Sequence, residues 1–333
     1  MPSEPWEGVY EATKPRAAFP QFGNVSSWAT EQSEDAHFLN VWQPANSQTK
    51  SSRSVMFWIH GGGCEEGSAF KPSNDCQHLA LQGDLVVVSI NYRLGPLGFL
   101  HAGKGCPGNW ALHDMLLALN WVGENIAAFG GNAADVTVFG ESAGAFAVGA
   151  LVLVEGVAGR LFHRAILSSG APPRCIESPA EGLTKTKLLA EKLNIPQSEN
   201  LEEMVTALKA IPFSEMQPPT YGDLGRNEWF RPVYGDELLP NHHVDLLKKA
   251  NPRIDLLFGT VANEGTIFAV ASAPKLMTAS KLNTEAAYKA IVAMMHVQGL
   301  GEHAKTIAGF YTRKLSEDSS QNEFRLVINS FKL

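Results

Sequence analysis

The chain has 333 residues, with 27 Lys and Arg against 34 Asp and Glu, a net charge of −7. That length fits one large α/β domain or two ordinary ones, and an acidic chain without a Lys/Arg-rich run or arm argues against a nucleic-acid partner. No apolar stretch reaches the ~20 residues a membrane span needs; the longest, Leu85–Ile90 and Ala145–Val154, read as a buried strand and a buried helix.

From the start of the chain, Met1-Pro2-Ser3-Glu4-Pro5-Trp6 has neither the basic nor the apolar part of a signal peptide. Asn24-Val25-Ser26 is a glycosylation sequon, which matters only in a secreted protein. Ser54–His60, Leu85–Asn91, Val136–Phe139, Arg164–Ser169 and Leu256–Gly259 are short, apolar and β-rich, the pattern of strands buried on both faces. Between them, Leu112–Phe129 shows apolar residues at helical spacing and stops at Gly130-Gly131. The alternation predicts an open, mostly parallel sheet flanked by helices.

The segment 172–235 differs. Amphipathic helices, Glu181–Leu193 and Leu201–Ala210, are joined by polar connectors such as Gln217-Pro218-Pro219, so the segment reads as a helical insertion within a single domain spanning 1–333. Further on, Asn283-Thr284-Glu285 and Leu300-Gly301-Glu302 read as starts of Ala-rich helices. Cys64, Cys76, Cys106 and Cys175 allow three pairings; Cys64 and Cys76 are close enough in sequence for a small-loop disulfide. No C-x-x-C spacing suggests zinc, and no cofactor is expected.

Chemistry concentrates in Gly140-Glu141-Ser142-Ala143-Gly144, a G-x-S-x-G motif. It closes the β-branched run Val136-Thr137-Val138 and opens the small-residue run 143–152. That is the strand–turn–helix setting in which a sharp turn projects a serine Oγ ready to attack a carbonyl. His60-Gly61-Gly62-Gly63 follows an earlier strand, where glycines let backbone N–H groups approach a substrate oxygen closely. Glu264, in Gly259-Thr260-Val261-Ala262-Asn263-Glu264-Gly265, falls in a loop after a short strand, at the sheet edge where catalytic groups gather. It follows Ser142, as the order Ser…Asp/Glu…His requires.

These motifs resemble the carboxylesterase type B family, which includes cholinesterases, juvenile-hormone esterases and the non-catalytic neuroligins. The resemblance rests on 129–144 and on Asn91-Tyr92-Arg93-Leu94-Gly95-Pro96-Leu97-Gly98-Phe99, Pro107-Gly108-Asn109, Leu161-Phe162-His163-Arg164-Ala165-Ile166 and Phe230-Arg231-Pro232-Val233-Tyr234-Gly235-Asp236. It implies an α/β-hydrolase fold and a serine esterase acting on small-molecule carboxylic esters through an acyl-enzyme. Ser142 is then the nucleophile, Glu264 the triad acid, and Gly62, Gly63 and Ala143 the oxyanion-hole donors. Glu141 becomes a buried carboxylate near the acyl site. An extracellular setting is implied for the intact parent.

The sequence departs from the resembling family in several places. Only His296 and His303 follow Glu264, and both sit in helical runs rather than in the loop the family uses, so the catalytic histidine is expected to be absent. The resemblance also makes the chain look truncated at both ends. The alternative is an inactive fragment or a neuroligin-like binding protein, against which stands the retention of Ser142, the glycine loop and Glu264. Phe19 and Ala36 replace a pair of bridged cysteines. Asn132 replaces an aspartate that would partner Arg93, leaving Asp135 as a substitute. Cys64 replaces an aromatic, and Trp28 sits roughly where cholinesterases carry a choline-binding tryptophan. Oligomeric state has no signature in the sequence.

Overall fold

The computed structural model describes residues 7–21, 31–45, 52–171, 176–196, 200–216, 230–250, 254–264, 282–297, 301–320, 323–324 and 327. Two compact units emerge: Met1–Pro218 with Trp229–Gly259, and Pro219–Glu228 with Thr260–Leu333.

In the first unit, six strands among the described residues form one sheet: β1 (Leu39–Trp42), β2 (Arg53–Ile59), β3 (Val86–Ile90), β4 (Gly131–Glu141), β5 (Arg164–Ser168) and β6 (Asp255–Gly259). Their spatial order is β1-β3-β2-β4-β5-β6. β1 runs antiparallel to β3 and the remaining neighbours pair in parallel. This is the mostly parallel sheet with flanking helices that the alternating pattern predicts.

Two faces of the sheet carry different sets of side chains because strand residues alternate. Val55, Phe57, Ile59, Val86, Val88, Val136 and Val138 point into the main core. There α3 (Trp110–Asn125) supplies Leu112, Met115 and Leu119, and α4 (Ala143–Leu153) supplies Val148 and Leu151. Each such side chain, fully buried, is worth ~1.5–3 kcal/mol. On the other face Val87, Met56, Phe139 and Trp42 pack with Cys76 and Ala80 of the α1 region (α1, Gln77–Gly83).

β6 departs from the expected double burial. It is the edge strand, with Leu256, Leu257 and Phe258 exposed by 49%, 64% and 74%. A strand with one neighbour has half the cover of a central one, and its apolar composition alone cannot reveal its place. β4 starts at Gly131, well before the apolar run, because Arg53 pairs with Gly131 across a register shift. A short helix, α2 (Gly95–Phe99), follows β3.

Within the insertion, α5 (Pro179–Lys192) opens on a capping box, Ser178 with Glu181, and α6 (Leu201–Lys209) on the Asn200 side chain. Glu177 pairs with Val233 in a parallel bridge, so the two ends of the insertion meet. Gln217-Pro218-Pro219 lies outside the described residues. A last helix of this unit, α7 (His243–Lys249), precedes β6. The second unit pairs α8 (Thr284–Val297) with α9 (Ala304–Thr312) through Ala290, Ile291, Met294 and Ala308.

Three sequence expectations are corrected. Among the described residues no disulfide joins Cys64, Cys76 or Cys106; Cys64 packs in the main core and Cys76 on the opposite face. Cys175 lies outside the described residues. Arg93 finds its carboxylate in Asp114, with Nε donating to Oδ2 at 2.8 Å, while Asp135 is taken by Ser54 and Arg164. Glu141 is exposed rather than buried. Phe19 and Ala36, at the positions where the resemblance expects bridged cysteines, are both buried in the main core.

Candidate active site

Ser142 is the hinge between β4 and α4. Its backbone lies at φ 54°, ψ −123°, a region non-glycine residues occupy at a cost of ~1–3 kcal/mol. The surrounding contacts force it. A Cβ on Gly140 would stand 2.4 Å from the Gly144 carbonyl carbon, and one on Gly144 would stand 2.1 Å from the Ile59 oxygen. Only glycines let the strand turn this sharply into the helix and let the helix press against β2. The Ser142 N–H donates to the Ser168 carbonyl at 2.9 Å, tying the turn to β5. The hydroxyl caps no helical N–H, so the half-buried Oγ is not consumed by local structure.

The glycine loop leaves β2 directly alongside. A Cβ on Gly61 would stand 2.7 Å from the Glu141 carbonyl oxygen and 3.2 Å from the Ser142 Cβ. The loop and the serine are therefore in contact, which the sequence could only suggest. Gly62 and Gly63 take φ 114° and 66°, and the turn closes as the Glu65 and Glu66 N–H groups both donate to the Gly62 oxygen at 3.0 Å. Among the described residues, the Gly62 and Gly63 N–H groups donate to no protein acceptor. Ala143 opens α4, whose first N–H groups lack helical partners. The glycine loop thus meets the serine turn at Gly61, and Gly62 and Gly63 follow it in the same loop.

His60 supports this loop. Its Nδ1 lies 2.8 Å from the Gly61 oxygen, and its ring stacks on Tyr92 with centroids 4.4 Å apart. The Tyr92 hydroxyl donates to the His60 carbonyl at 2.8 Å. Burial pushes the His60 pKa down to about 4, with Lys71 adding a smaller push, so the ring is neutral at physiological pH. Its Nε2 is buried without a partner among the described residues.

Glu264 lies in the second unit, in the turn after β6. Its Oε1 accepts the Val261 N–H at 2.9 Å. Gly265 lies outside the described residues, as does Trp28. His303 is 64% exposed with its Nε2 3.5 Å from the Glu302 carboxylate. His296 ends α8, and its side chain lies outside the described residues. The structure thus brings Gly61 of the glycine loop against Ser142, with Ala143 next in the chain, while Glu264 is placed within its own unit.

Around the site, two groups went unread in the sequence. Asp114 accepts from the Arg93 backbone and guanidinium and from His37 at 3.0 Å, under the chain that leads out of β3. Glu65, in the turn of the glycine loop, accepts the Phe230 N–H at 3.1 Å. Neither partner is near in sequence, so no local spacing could have signalled them. No helix among the described residues is long and apolar enough to cross a membrane, and no cluster there could hold a metal ion.

The model of the carboxylesterase family matches residues 1–332. Acetylcholinesterase-1 of Trittame loki is 35% identical over 96% of this chain and 61% of its own length. Phenmedipham hydrolase of Pseudarthrobacter oxydans is 38% identical over 76% of this chain and 50% of its own length. Cholinesterase of Mus musculus is 38% identical over 82% and 48%. The chain therefore spans about half to three-fifths of the length of the curated relatives it matches. With the parallel sheet, the serine at its elbow and the glycine loop against it, the match over nearly every residue places this chain in the carboxylesterase family.

Proposed function

We propose that the chain is built for hydrolysis of small-molecule carboxylic esters, with Ser142 as nucleophile. Ser142 Oγ attacks the ester carbonyl carbon, and its proton passes to a base. The carbonyl electron pair moves onto oxygen, where the Gly62, Gly63 and Ala143 N–H groups receive the negative charge. Collapse expels the alcohol, which takes the proton, and water repeats the sequence on the acyl-enzyme. The observation that carries this reading is the contact between the strained serine turn and the glycine loop.

Glu264 is the acid of the proposed triad, and both compact units are parts of one catalytic domain. The base is a histidine that Glu264 orients, and we assign it to none of the histidines described. His60 is committed to its own loop, His303 sits beside Glu302, and His101 lies against the Pro107 carbonyl. Loss of the base in a serine hydrolase lowers kcat by ~10⁶, leaving the ~10³–10⁴ acceleration over water that an oxyanion hole and binding supply. With no base assigned, the reading expects slow, Ser142-dependent ester hydrolysis. The relatives' names include cholinesterase and phenmedipham hydrolase, and an ester is the substrate class they support here. An extracellular setting belongs to the same proposal.

The test is a fluorophosphonate probe on the full chain, followed by peptide mapping. Slow adduct formation on Ser142, absent in Ser142→Ala and accelerated by added imidazole, is the expected result. Adduct formation that persists in Ser142→Ala would refute the nucleophile, and rapid stoichiometric labelling without imidazole would refute the missing base.

A further inference from the structure

The turn that continues the glycine loop carries a carboxyl group that no step above uses. Glu65 reaches across to two other segments. Its Oε1 accepts the Phe230 N–H at 3.1 Å, just before the residues 232–234 that hydrogen-bond to Glu177. Its Oε2 lies 2.8 Å from where a Cβ on Gly95 would stand, and the Gly95 N–H donates to the Cys64 carbonyl at 2.7 Å. The loop is thus fastened at Cys64 by backbone and at Glu65 by side chain, to the start of α2 and to the end of the insertion.

Charged neighbours face Glu65 from both packed elements. Lys185 comes from α5, and Arg231 follows Phe230. Glu177 lies among them, paired to Lys185 and with one oxygen 3.9 Å from Arg231 Nε; its other oxygen is buried without a partner among the described residues. Glu65 is half-buried, with its carboxyl group packed against these segments.

We propose that Glu65 is a positioning residue for the oxyanion hole: accepting the Phe230 N–H with one oxygen and seating the other against Gly95, it clamps the turn that presents Gly62 and Gly63 beside Ser142. This rests on the reading of Ser142 and the glycine loop given above. Burial pushes the Glu65 pKa up to about 8 against the pull of Phe230, Lys185 and Arg231, so the clamp is neutral at physiological pH.

Amide hydrogen exchange on the full chain tests the clamp without relying on activity. In Glu65→Ala, exchange of the peptide covering 60–67 is expected to rise at least ~10-fold while that of β3 stays unchanged, and Glu65→Gln keeps the wild-type rate. Unchanged exchange in Glu65→Ala overturns the proposal. Fluorophosphonate labelling of Ser142 tests the positioning. It is expected to slow ~10-fold or more in Glu65→Ala and recover in Glu65→Gln. Faster exchange with unchanged labelling also overturns it. A wild-type chain that takes no label at Ser142 overturns the nucleophile reading, and with it the catalytic half of this one, while the exchange result still decides the clamp.

Discussion

Replacing Asp114 with Ala is expected to destabilise the first unit by ~3–5 kcal/mol, the cost of removing one partner from a buried ion pair. The figure follows from the site. The Asp114 side chain is 4% exposed, and its Oδ2 accepts from Arg93 Nε at 2.8 Å and from the Arg93 N–H at 3.0 Å. Its Oδ1 takes the other arm of the guanidinium and His37 Nε2. Without it the Arg93 guanidinium, only 30% exposed, keeps its charge and loses its carboxylate. Domains of this kind are stable by ~5–15 kcal/mol, so the loss is a large share. The assay is urea unfolding followed by tryptophan fluorescence, because the described tryptophans, Trp42, Trp58, Trp110 and Trp121, all lie in the first unit. Asp135→Ala is the control: its partner Arg164 is on the surface, and a far smaller shift is expected. Burial opposes ionisation of Asp114, but His37 and Arg93 outweigh it and hold its pKa below the usual carboxylate range. Its contribution is therefore complete above about pH 4 and lost as pH falls through the lowered value, and Asp114→Asn removes that acid-side dependence. Equal shifts for Asp114→Ala and Asp135→Ala would refute the reassignment of the Arg93 partner.

Three further outcomes are expected. Gly61→Ala forces a Cβ to 2.7 Å from the Glu141 oxygen, so the loop must move; labelling of Ser142 should fall ~10²–10³-fold, the value of one oxyanion donor, at ~1–3 kcal/mol in stability, and wild-type labelling would count against the loop–serine contact. Glu65 holds in the folded state a proton that the unfolded chain releases near pH 4.5, so stability falls as pH rises from there to about 8 and is level above. Glu65→Gln, neutral throughout, should be increasingly more stable than wild type across that window in thermal melts; a constant difference would contradict the burial. Leu257→Lys puts a charge on the exposed apolar edge strand and should lower concentration-dependent light scattering; no change would mean β6 is not a site of self-association.

Legibility followed how local each cause was. β2, β3 and β5 were readable because central strands read as short apolar runs, and the serine turn was readable because its glycines and its flanking strand and helix are adjacent in sequence. The early part of β4 was not: Gly131-Asn132-Ala133-Ala134-Asp135 has little strand character of its own and is extended by its pairing with β2. The exposure of β6 was hidden because composition does not record which strand lies at an edge. The contact of Gly61 with Ser142 was not readable from the sequence, because the two lie on neighbouring strands' ends that only the fold brings together. Asp114 and Glu65 escaped because their partners, Arg93, His37 and Phe230, are brought to them only by the fold. Glu264 was chosen by order after Ser142, and its turn after β6 matches the expected place in the chain.

The most direct test of the central claim is the site of covalent modification by a fluorophosphonate on the full chain, read by peptide mass. The account predicts one adduct, on Ser142, that forms slowly, speeds up with imidazole and vanishes in Ser142→Ala. An adduct elsewhere, or one that survives Ser142→Ala, would contradict it.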